Sequence, residues 1–272
     1  MNRQTLLNKF NQVDWRDRQF ILAHVLGISR EQLLAHPSET VPLWLSIKYL
    51  LQISRRARHT PLAYLLGEQP FYGLNFKVNK HTLIPRPETE WLVDEALNIL
   101  REHTEIYTVI DVGTGSGAIA IALAKNAPDI QILATDISAK ALKVAQANAA
   151  KHNAHITFIH NDGVSLVPTN ITTTPTLIIA NLPYIPEADY VKLTPDVQSE
   201  PRQALVAGSD GLDHYRTLLN QIEKWPHPPR LLFECDPSNA EKLARLVQVK
   251  LPTYTAEIAN DHQGLTRYVF SK

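Results

Sequence analysis

The sequence predicts an α/β fold: a mostly parallel sheet flanked by helices, preceded by a small all-helical domain and a β-hairpin. Three observations predict it. Short apolar runs at 109–112, 130–135, 155–160 and 177–180 are separated by helical or loop segments, as expected for strands joined by crossovers. The runs lead into Gly113, Asp136, Asn161 and Asn181, polar or turn residues at the carboxyl edge where open α/β sheets bind ligands. Residues 1–66, by contrast, carry helical spacing and caps without strand alternation.

Within 1–66, Asp14 is placed to cap a helix running to Leu26, with Phe20, Ile21, Val25 and Leu26 as its apolar stripe and Gly27 at its end. Ser29 and Gln32 have capping-box spacing, and Pro37 closes the short helix they start. A long helix is expected over 41–58, starting near Thr40 and ending in Arg55, Arg56, Arg58 and His59. Cations suit that end of the helix dipole, so the cluster reads as a solvated helix end, with a phosphate or partner site as the alternative. No catalytic cluster lies in 1–66, which is expected to recognise substrate. Residues 67–82 form a linker, in which 71–78 alternates around Gly73 as a β-hairpin.

The catalytic domain is expected over 83–272. It opens on Leu83-Ile-Pro-Arg-Pro-Glu-Thr-Glu90. Pro87, Glu88 and Glu90 suit the first turn of a helix over 91–100. Capping does not account for Arg86, which the flanking prolines hold in extended chain with a defined side-chain direction.

The strand at 109–112 runs into Gly113-Thr-Gly-Ser-Gly117, followed by a helix over 118–126. Glycines permit a sharp turn and close ligand approach, although a tight packing turn has the same spelling. The spacing is Gly-x-Gly-x-Gly rather than a dinucleotide fingerprint, and no Walker lysine follows, so a nucleoside triphosphate is disfavoured. Asp111 suits a cationic or hydroxyl-rich ligand better than a pyrophosphate. Asp136 ends the next strand 19 residues past Gly117 (136 − 117), where an acid can accept both hydroxyls of a ribose. Ser138 caps a helix to His152, and a strand over 155–160 leads into Asn161-Asp162-Gly163. Asp162 there is either an acceptor for an adenine amino group or plain turn chemistry. Residues 164–175, rich in Thr and Pro, read as a loop.

The buried strand 177–180 stops at Asn181-Leu182-Pro183-Tyr184, because Pro183 cannot donate to a ladder. An amide at this edge can accept from an NH2 group and an aromatic can cover a planar one; an ordinary Asn-Pro turn is the plainer reading. Beyond it, a helix within 189–199, a lid-like connection through Glu200 and Gly208–Gly211, a helix over 212–224, a strand over 230–234 and a helix over 238–250 follow. An antiparallel pair over 256–258 and 266–270 closes the chain, and Cys235 reads as a small buried residue.

Composition restricts function. The 272 residues are 44% hydrophobic, and 27 Lys plus Arg balance 27 Asp plus Glu, so no net positive field draws the chain to nucleic acid. One cysteine excludes an internal disulfide or cysteine metal cluster, and the 11 histidines lack metal-ligand spacing, so no metal is expected. Neither a signal peptide nor a membrane span is visible. A cytoplasmic location is the expectation.

The glycine loop, Asp136, Asp162 and Asn181 follow one another on consecutive strand ends in an order that resembles class I S-adenosylmethionine-dependent methyltransferases. Asn181-Leu-Pro-Tyr184 is similar to the Asn-Pro-Pro-Tyr element of amino-methylating members. Pro61-Leu-Ala-Tyr-Leu-Leu-Gly-Glu, Phe71-Tyr-Gly-Leu, Leu83-Ile-Pro-Arg-Pro-Glu-Thr-Glu, Asp111-Val-Gly-Thr-Gly-Ser-Gly-Ala-Ile-Ala and Gly211-Leu-Asp extend the resemblance to the HemK/PrmC family. Those enzymes methylate N5 of the glutamine in the Gly-Gly-Gln motif of class 1 peptide-chain release factors. The resemblance implies a seven-stranded, Rossmann-like class I domain. It implies S-adenosyl-L-methionine contacts at Gly113, Thr114, Gly115, Ser116, Gly117, Asp136, Asp162, Gly163 and Asn181. It further implies that Asn181, Leu182, Pro183 and Tyr184 hold the substrate glutamine and act in catalysis, with Arg86 on the substrate side. Leu182 replaces the first proline of the family's pair, Gly163 stands where some members have an aromatic, and Glu234-Cys-Asp-Pro departs from the usual Glu-Ile-Gly. Asn-Leu-Pro-Tyr also occurs in ribosomal-RNA adenine dimethyltransferases. A glutamine methyltransferase of a ribosomal protein and an adenine-N6 methyltransferase of RNA or DNA are therefore the alternatives.

Overall fold

The computed structural model describes residues 1–271, which divide into two compact units, Met1–Glu68 with Thr194–Ser199, and Gln69–Leu193 with Glu200–Lys272. The first unit is helical: α1 (Arg3–Leu7), α2 (Trp15–Leu26), α3 (Arg30–Ala35), α4 (Leu43–Arg56) and α5 (Leu62–Leu66). Its caps are those the sequence spells. Asp14 accepts from Arg16 and Asp17 N–H, Gly27 closes α2 at φ +68°, and Ser29 with Gln32 forms a complete capping box. Helix α4 is shorter than 41–58 because Pro42 stands before it in extended conformation, ψ 144°. Arg56 corrects the solvated-end expectation. Its guanidinium is mostly buried between Asp17 (2.6 Å) and Asp196 (2.7 Å), so this end of α4 is pinned by two carboxylates.

The hairpin strands are β1 (Glu68–Phe71) and β2 (Leu74–Lys77), turning at Tyr72 and Gly73, both at positive φ. The second unit then continues with α6 (Glu90–Glu102), β3 (Thr108–Val112), α7 (Ala118–Asn126), β4 (Gln131–Asp136), α8 (Ala139–His152), β5 (Thr157–His160), α9 (Thr169–Thr172) and β6 (Thr176–Ala180). After α10 (Pro195–Gln198), which belongs to the helical unit, come α11 (Asp213–Ile222), β7 (Arg230–Glu234), α12 (Ala240–Lys250), β8 (Ala256–Asn260) and β9 (Thr266–Ser271). The short α9 interrupts the expected loop over 164–175. Ile171 is buried there, and threonine hydroxyls donate back to carbonyls of the same turn.

The seven-stranded sheet has the order β5-β4-β3-β6-β7-β9-β8, parallel from β5 to β7 and antiparallel through β9 and β8. Every residue of β3 and β6 is buried, as a strand covered on both faces requires. Alternate side chains go to opposite faces. Ile110, Ile178 and Phe233 pack with Leu218 of α11 and Leu243 of α12, while Val109, Leu177 and Leu232 pack with Leu92 of α6 and Ile119 of α7. The chain reverses its direction of winding beside β3, so the carboxyl ends of β4, β3 and β6 open onto one crevice.

Candidate active site

That crevice is a cavity of about 760 Å3 including its mouth, within the range of small-molecule sites. Gly113 and Gly115 after β3, Asp136 at the end of β4, Asp162 and Gly163 after β5, and Asn181, Leu182 and Pro183 after β6 line it. Thr114, Ser116 and Gly117 do not. They build the loop from behind: Thr114 donates to Asp111 at 2.7 Å, the Ser116 carbonyl accepts from Asn148, and Gly117 starts α7 at φ +82°. Tyr184 and Arg86 lie outside the lining as well.

Asp111 is not a ligand-facing acid. It is buried and accepts from Thr114 Oγ1 and the Ala120 N–H (3.3 Å), tying the glycine loop to α7. Burial raises its pKa to about 6 against those two hydrogen bonds. Asp136 is fixed in turn by the N–H of Gly115 (2.9 Å) and of Ser138 (2.7 Å), one to each oxygen. Burial pushes its pKa up and the two N–H groups pull it down. Carboxylate oxygens retain further acceptor capacity, and Asp136 is part of the cavity lining. Gly113 allows the close approach: at φ +73° a Cβ would lie 2.8 Å from Leu182 Cδ2. Around Gly163, the Gln221 side chain of α11 clamps the turn, accepting from Val164 N–H (2.7 Å) and donating to the Asp162 carbonyl (3.0 Å). A Cβ at 163 would meet Gln221 Oε1 at 2.3 Å, so a side chain there would have to push the Gln221 amide out of its two hydrogen bonds to this turn.

At the end of β6 the Asn181 amide donates from Nδ2 to Thr89 Oγ1 at 2.9 Å, and its Oδ1 is buried without a partner among the described residues. The next peptide is held by Tyr215 of α11. Its hydroxyl accepts the Leu182 N–H (3.2 Å) and faces the carbonyls of Ala180 and Glu234, the last residues of β6 and β7. No described residue donates to the Leu182 carbonyl. Tyr184 is backed by Gly211, where a Cβ would lie 2.1 Å from the Tyr184 carbonyl. Arg86 pairs with buried Glu200, whose other oxygen accepts from Ile84 N–H at 2.9 Å; this ties the connector to the start of the lid-like segment.

Two site residues escape the sequence reading. Thr89 sits in the one-turn helix Pro87–Thr89, held by Tyr268, whose hydroxyl donates to the Glu88 carbonyl at 2.7 Å and whose ring stacks on Trp91. Glu234 ends β7 and is buried; burial raises its pKa to about 7, with Thr89, Arg267 and Asn181 pulling the other way. The rule that selects Asp136, an acid closing a buried strand, selects Glu234 equally. Nothing local in the sequence points to Gln221 or Tyr215.

The architecture and the cavity define a class I S-adenosylmethionine-dependent methyltransferase. Residues 90–207 match the Methyltransferase small domain and residues 7–67 the PrmC N-terminal domain. The release factor glutamine methyltransferase of Bacillus cereus is 35% identical, covering 97% of this chain and 96% of its own. That of Deinococcus radiodurans is 36% identical over 93% and 89%. The chain belongs to the release factor glutamine methyltransferase family. In fold alone it is similar to the ribosomal protein L11 methylase of Lactobacillus delbrueckii subsp. bulgaricus, with TM-score 0.50 and 20% identity over 75% of this chain and 89% of that one. Among the described residues no helix is long and apolar enough to cross a membrane, and no acid, histidine and cysteine group is arranged to hold a metal.

Proposed function

We infer that this enzyme transfers a methyl group from S-adenosylmethionine to the side-chain amide nitrogen of the Gly-Gly-Gln glutamine in class 1 peptide-chain release factors. The observation that carries the substrate assignment is the pair of acceptors after β6: the buried Asn181 Oδ1 and the Leu182 carbonyl, neither with a donor among the described residues. Two adjacent acceptors suit the two hydrogens of a primary amide. An amide nitrogen is a poor nucleophile because its lone pair is delocalised into the carbonyl. Acceptance of both hydrogens orients the nitrogen and raises its electron density, so positioning and electrostatics supply most of the acceleration. Pro183 stiffens the segment, and the Tyr184 ring is assigned to cover the amide plane. The cofactor supplies, when bound, a methyl on a sulfonium. Asp136, Asp162 and the bare backbone at Gly113 fit such a ligand: two acids for its hydroxyl, amino and cationic groups, and a wall that a Cβ would close. Thr114, Ser116 and Gly117 are assigned to shaping that wall, with Gly163 and Asn181 at its rim.

Substrate recognition is assigned to the helical unit, whose α4 exposes Leu43, Trp44, Ile47 and Leu51, an apolar row larger than a scattered surface residue would make. Trp44→Ser should raise KM for release factor and leave cofactor affinity unchanged; an unchanged KM removes this face from recognition. The reaction itself is tested by mass spectrometry of intact release factor after incubation with enzyme and labelled cofactor, beside an adenine-containing RNA. One added methyl on the glutamine is expected. Label appearing only on the RNA assigns the enzyme to adenine methylation.

A further inference from the structure

We propose that Gln221 is a positioning residue for cofactor binding: from α11 it holds the Asp162–Gly163 turn so that the Asp162 carboxylate meets the adenine amino group. The inference rests on the reading of Asp162 as that acceptor and concerns what fixes its direction. Asp162 is an exposed residue of the cavity lining, and no described residue bonds its carboxyl. Its direction is therefore set through the main chain of its turn.

That main chain is held in two ways. At its base, Asn161 N–H donates to the Asp136 carbonyl (3.0 Å) and Asn161 Nδ2 to the Gly163 carbonyl (3.3 Å). The Ser165 hydroxyl donates to Asn161 Oδ1 at 2.7 Å, and Val164 is buried in one core cluster with Leu218, Leu219 and Ile222 of α11. These contacts make the turn. Gln221 then takes the two main-chain groups on either side of Gly163. Its Oε1 accepts from Val164 N–H at 2.7 Å, and its Nε2 donates to the Asp162 carbonyl at 3.0 Å. An N–H only donates and a carbonyl only accepts, so the pair also fixes which way round the amide stands. Among the described residues those two groups have no other partner.

The space is as specific as the bonding. Gly163 is at φ +71°, and a Cβ there would lie 2.3 Å from Oε1, 3.1 Å from Cδ and 3.2 Å from Nε2 of Gln221. The amide occupies the place that a side chain at 163 would take. Positions 163 and 221 thus form one unit, in which a helix-borne amide braces a turn that carries no side chain of its own at that point. A helix supports a contact group more precisely than a loop does, and a hydrogen bond to a ligand tolerates only a few tenths of an ångström. The brace therefore acts on recognition of the adenine amino group rather than on formation of the turn.

The test measures, by calorimetry on the full-length enzyme, affinity for S-adenosylhomocysteine and for its counterpart with hydrogen in place of the adenine amino group. Wild type should prefer the amino ligand by about tenfold or more, as a hydrogen bond to a charged group implies. Gln221→Ala should bind S-adenosylhomocysteine roughly 5- to 30-fold more weakly and the other ligand nearly as wild type does, so the preference falls below about threefold. Gln221→Met fills the same space without bonding both groups and should do the same, which covers the case in which Gln221→Ala packs poorly. Gly163→Ala should weaken binding in the wild type and add little to Gln221→Ala, since its Cβ displaces an amide that is already gone. Where wild type shows the preference and Asp162→Ala abolishes it, two outcomes overturn the proposal: an unchanged preference in both Gln221 variants, or an equal loss for both ligands. If Asp162→Ala keeps the preference, or wild type has none, Asp162 is not the amino acceptor. Strict additivity of Gly163→Ala and Gln221→Ala then overturns the positioning role as well, and coupling between them leaves it standing on the turn's main chain.

Discussion

Strand ends on the two sides of β3 in the same sheet are finished in different ways. At β4, both oxygens of Asp136 accept backbone N–H groups and the glycine loop is locked to α7 through Asp111. At β6 and β7, Asn181 Oδ1 and Glu234 Oε2 are buried with no partner among the described residues. Unpaired buried acceptors are destabilising and uncommon. Asp111 Oδ1 and Thr135 Oγ1 on the first edge also lack a partner among the described residues, but neither residue lines the cavity, whereas Asn181 does, so its acceptor is the one placed for a molecule that arrives. Substitutions on the two sides should therefore fail differently, one in binding and stability, the other in turnover.

The sharpest break is at Asn181. Asn181→Ala removes that acceptor but leaves the glycine loop and Asp136 intact, so turnover should fall roughly 10²–10³-fold while cofactor affinity largely persists. Single-turnover kinetics with calorimetry measures both. A wild-type rate would move the acceptor role elsewhere.

Asp136→Ala should show the reverse pattern. It removes a charged acceptor from the cavity and strands the N–H groups of Gly115 and Ser138, a loss of about 1.5–3 kcal/mol, or roughly 10- to 100-fold in cofactor affinity. Rate at saturating cofactor should change much less. If binding is unchanged in a folded variant, Asp136 is scaffold only.

The β7 end has a stability signature too. Glu234 has its pKa raised from 4.5 to about 7 in the folded protein. A raised carboxyl pKa gives a contribution that is full below the unfolded value and lost as pH rises through the folded one. Wild-type stability should therefore decline between about pH 4.5 and 7, with Asp111, raised to about 6, contributing in the same sense. Glu234→Gln removes the larger part, so at pH 8 it should be the more stable protein, by on the order of 2 kcal/mol. Gln must still find partners for its amide, which keeps the gain below the full linkage. Denaturant melts at pH 5 and pH 8 show the sign.

Legibility in the sequence follows the same division. The strands, caps and glycine loop could be read because each is a local pattern: Asp14, Ser29 and Ser138 sit at helix starts and accept the N–H groups their positions imply. Gly113, Asp136 and Asn181 could be found because strand ends carry them to one edge. Thr89 is 92 residues from Asn181, and Gln221 is 57 residues from the turn it clamps. Those pairings exist only after the sheet has formed, and the local spacing around Thr89 says no more than a capped turn. Arg56 shows the converse. Its local setting at a helix end suggests solvent, and the decisive carboxylate, Asp196, comes from a segment 140 residues on (196 − 56).

The smallest expected effect tests which part of Leu182 the site uses. Its backbone carbonyl is the second acceptor proposed for the substrate, and its side chain is buried against Gly113. Leu182→Pro installs the residue usual in the family resemblance, keeps the carbonyl, and removes the N–H that Tyr215 accepts at 3.2 Å. Tyr215 still faces the carbonyls of Ala180 and Glu234, so its hydroxyl stays engaged. The lost hydrogen bond and the smaller side chain should lower stability by about 1–2 kcal/mol, seen as a modest drop in Tm. The methyl-transfer rate should stay within about threefold of wild type, since proline also stiffens the backbone that presents the carbonyl. A collapse in rate with cofactor affinity intact would assign the contribution to the leucine side chain and its seat on the glycine loop. The second acceptor would then have to be sought at another atom of the Asn181–Tyr184 segment.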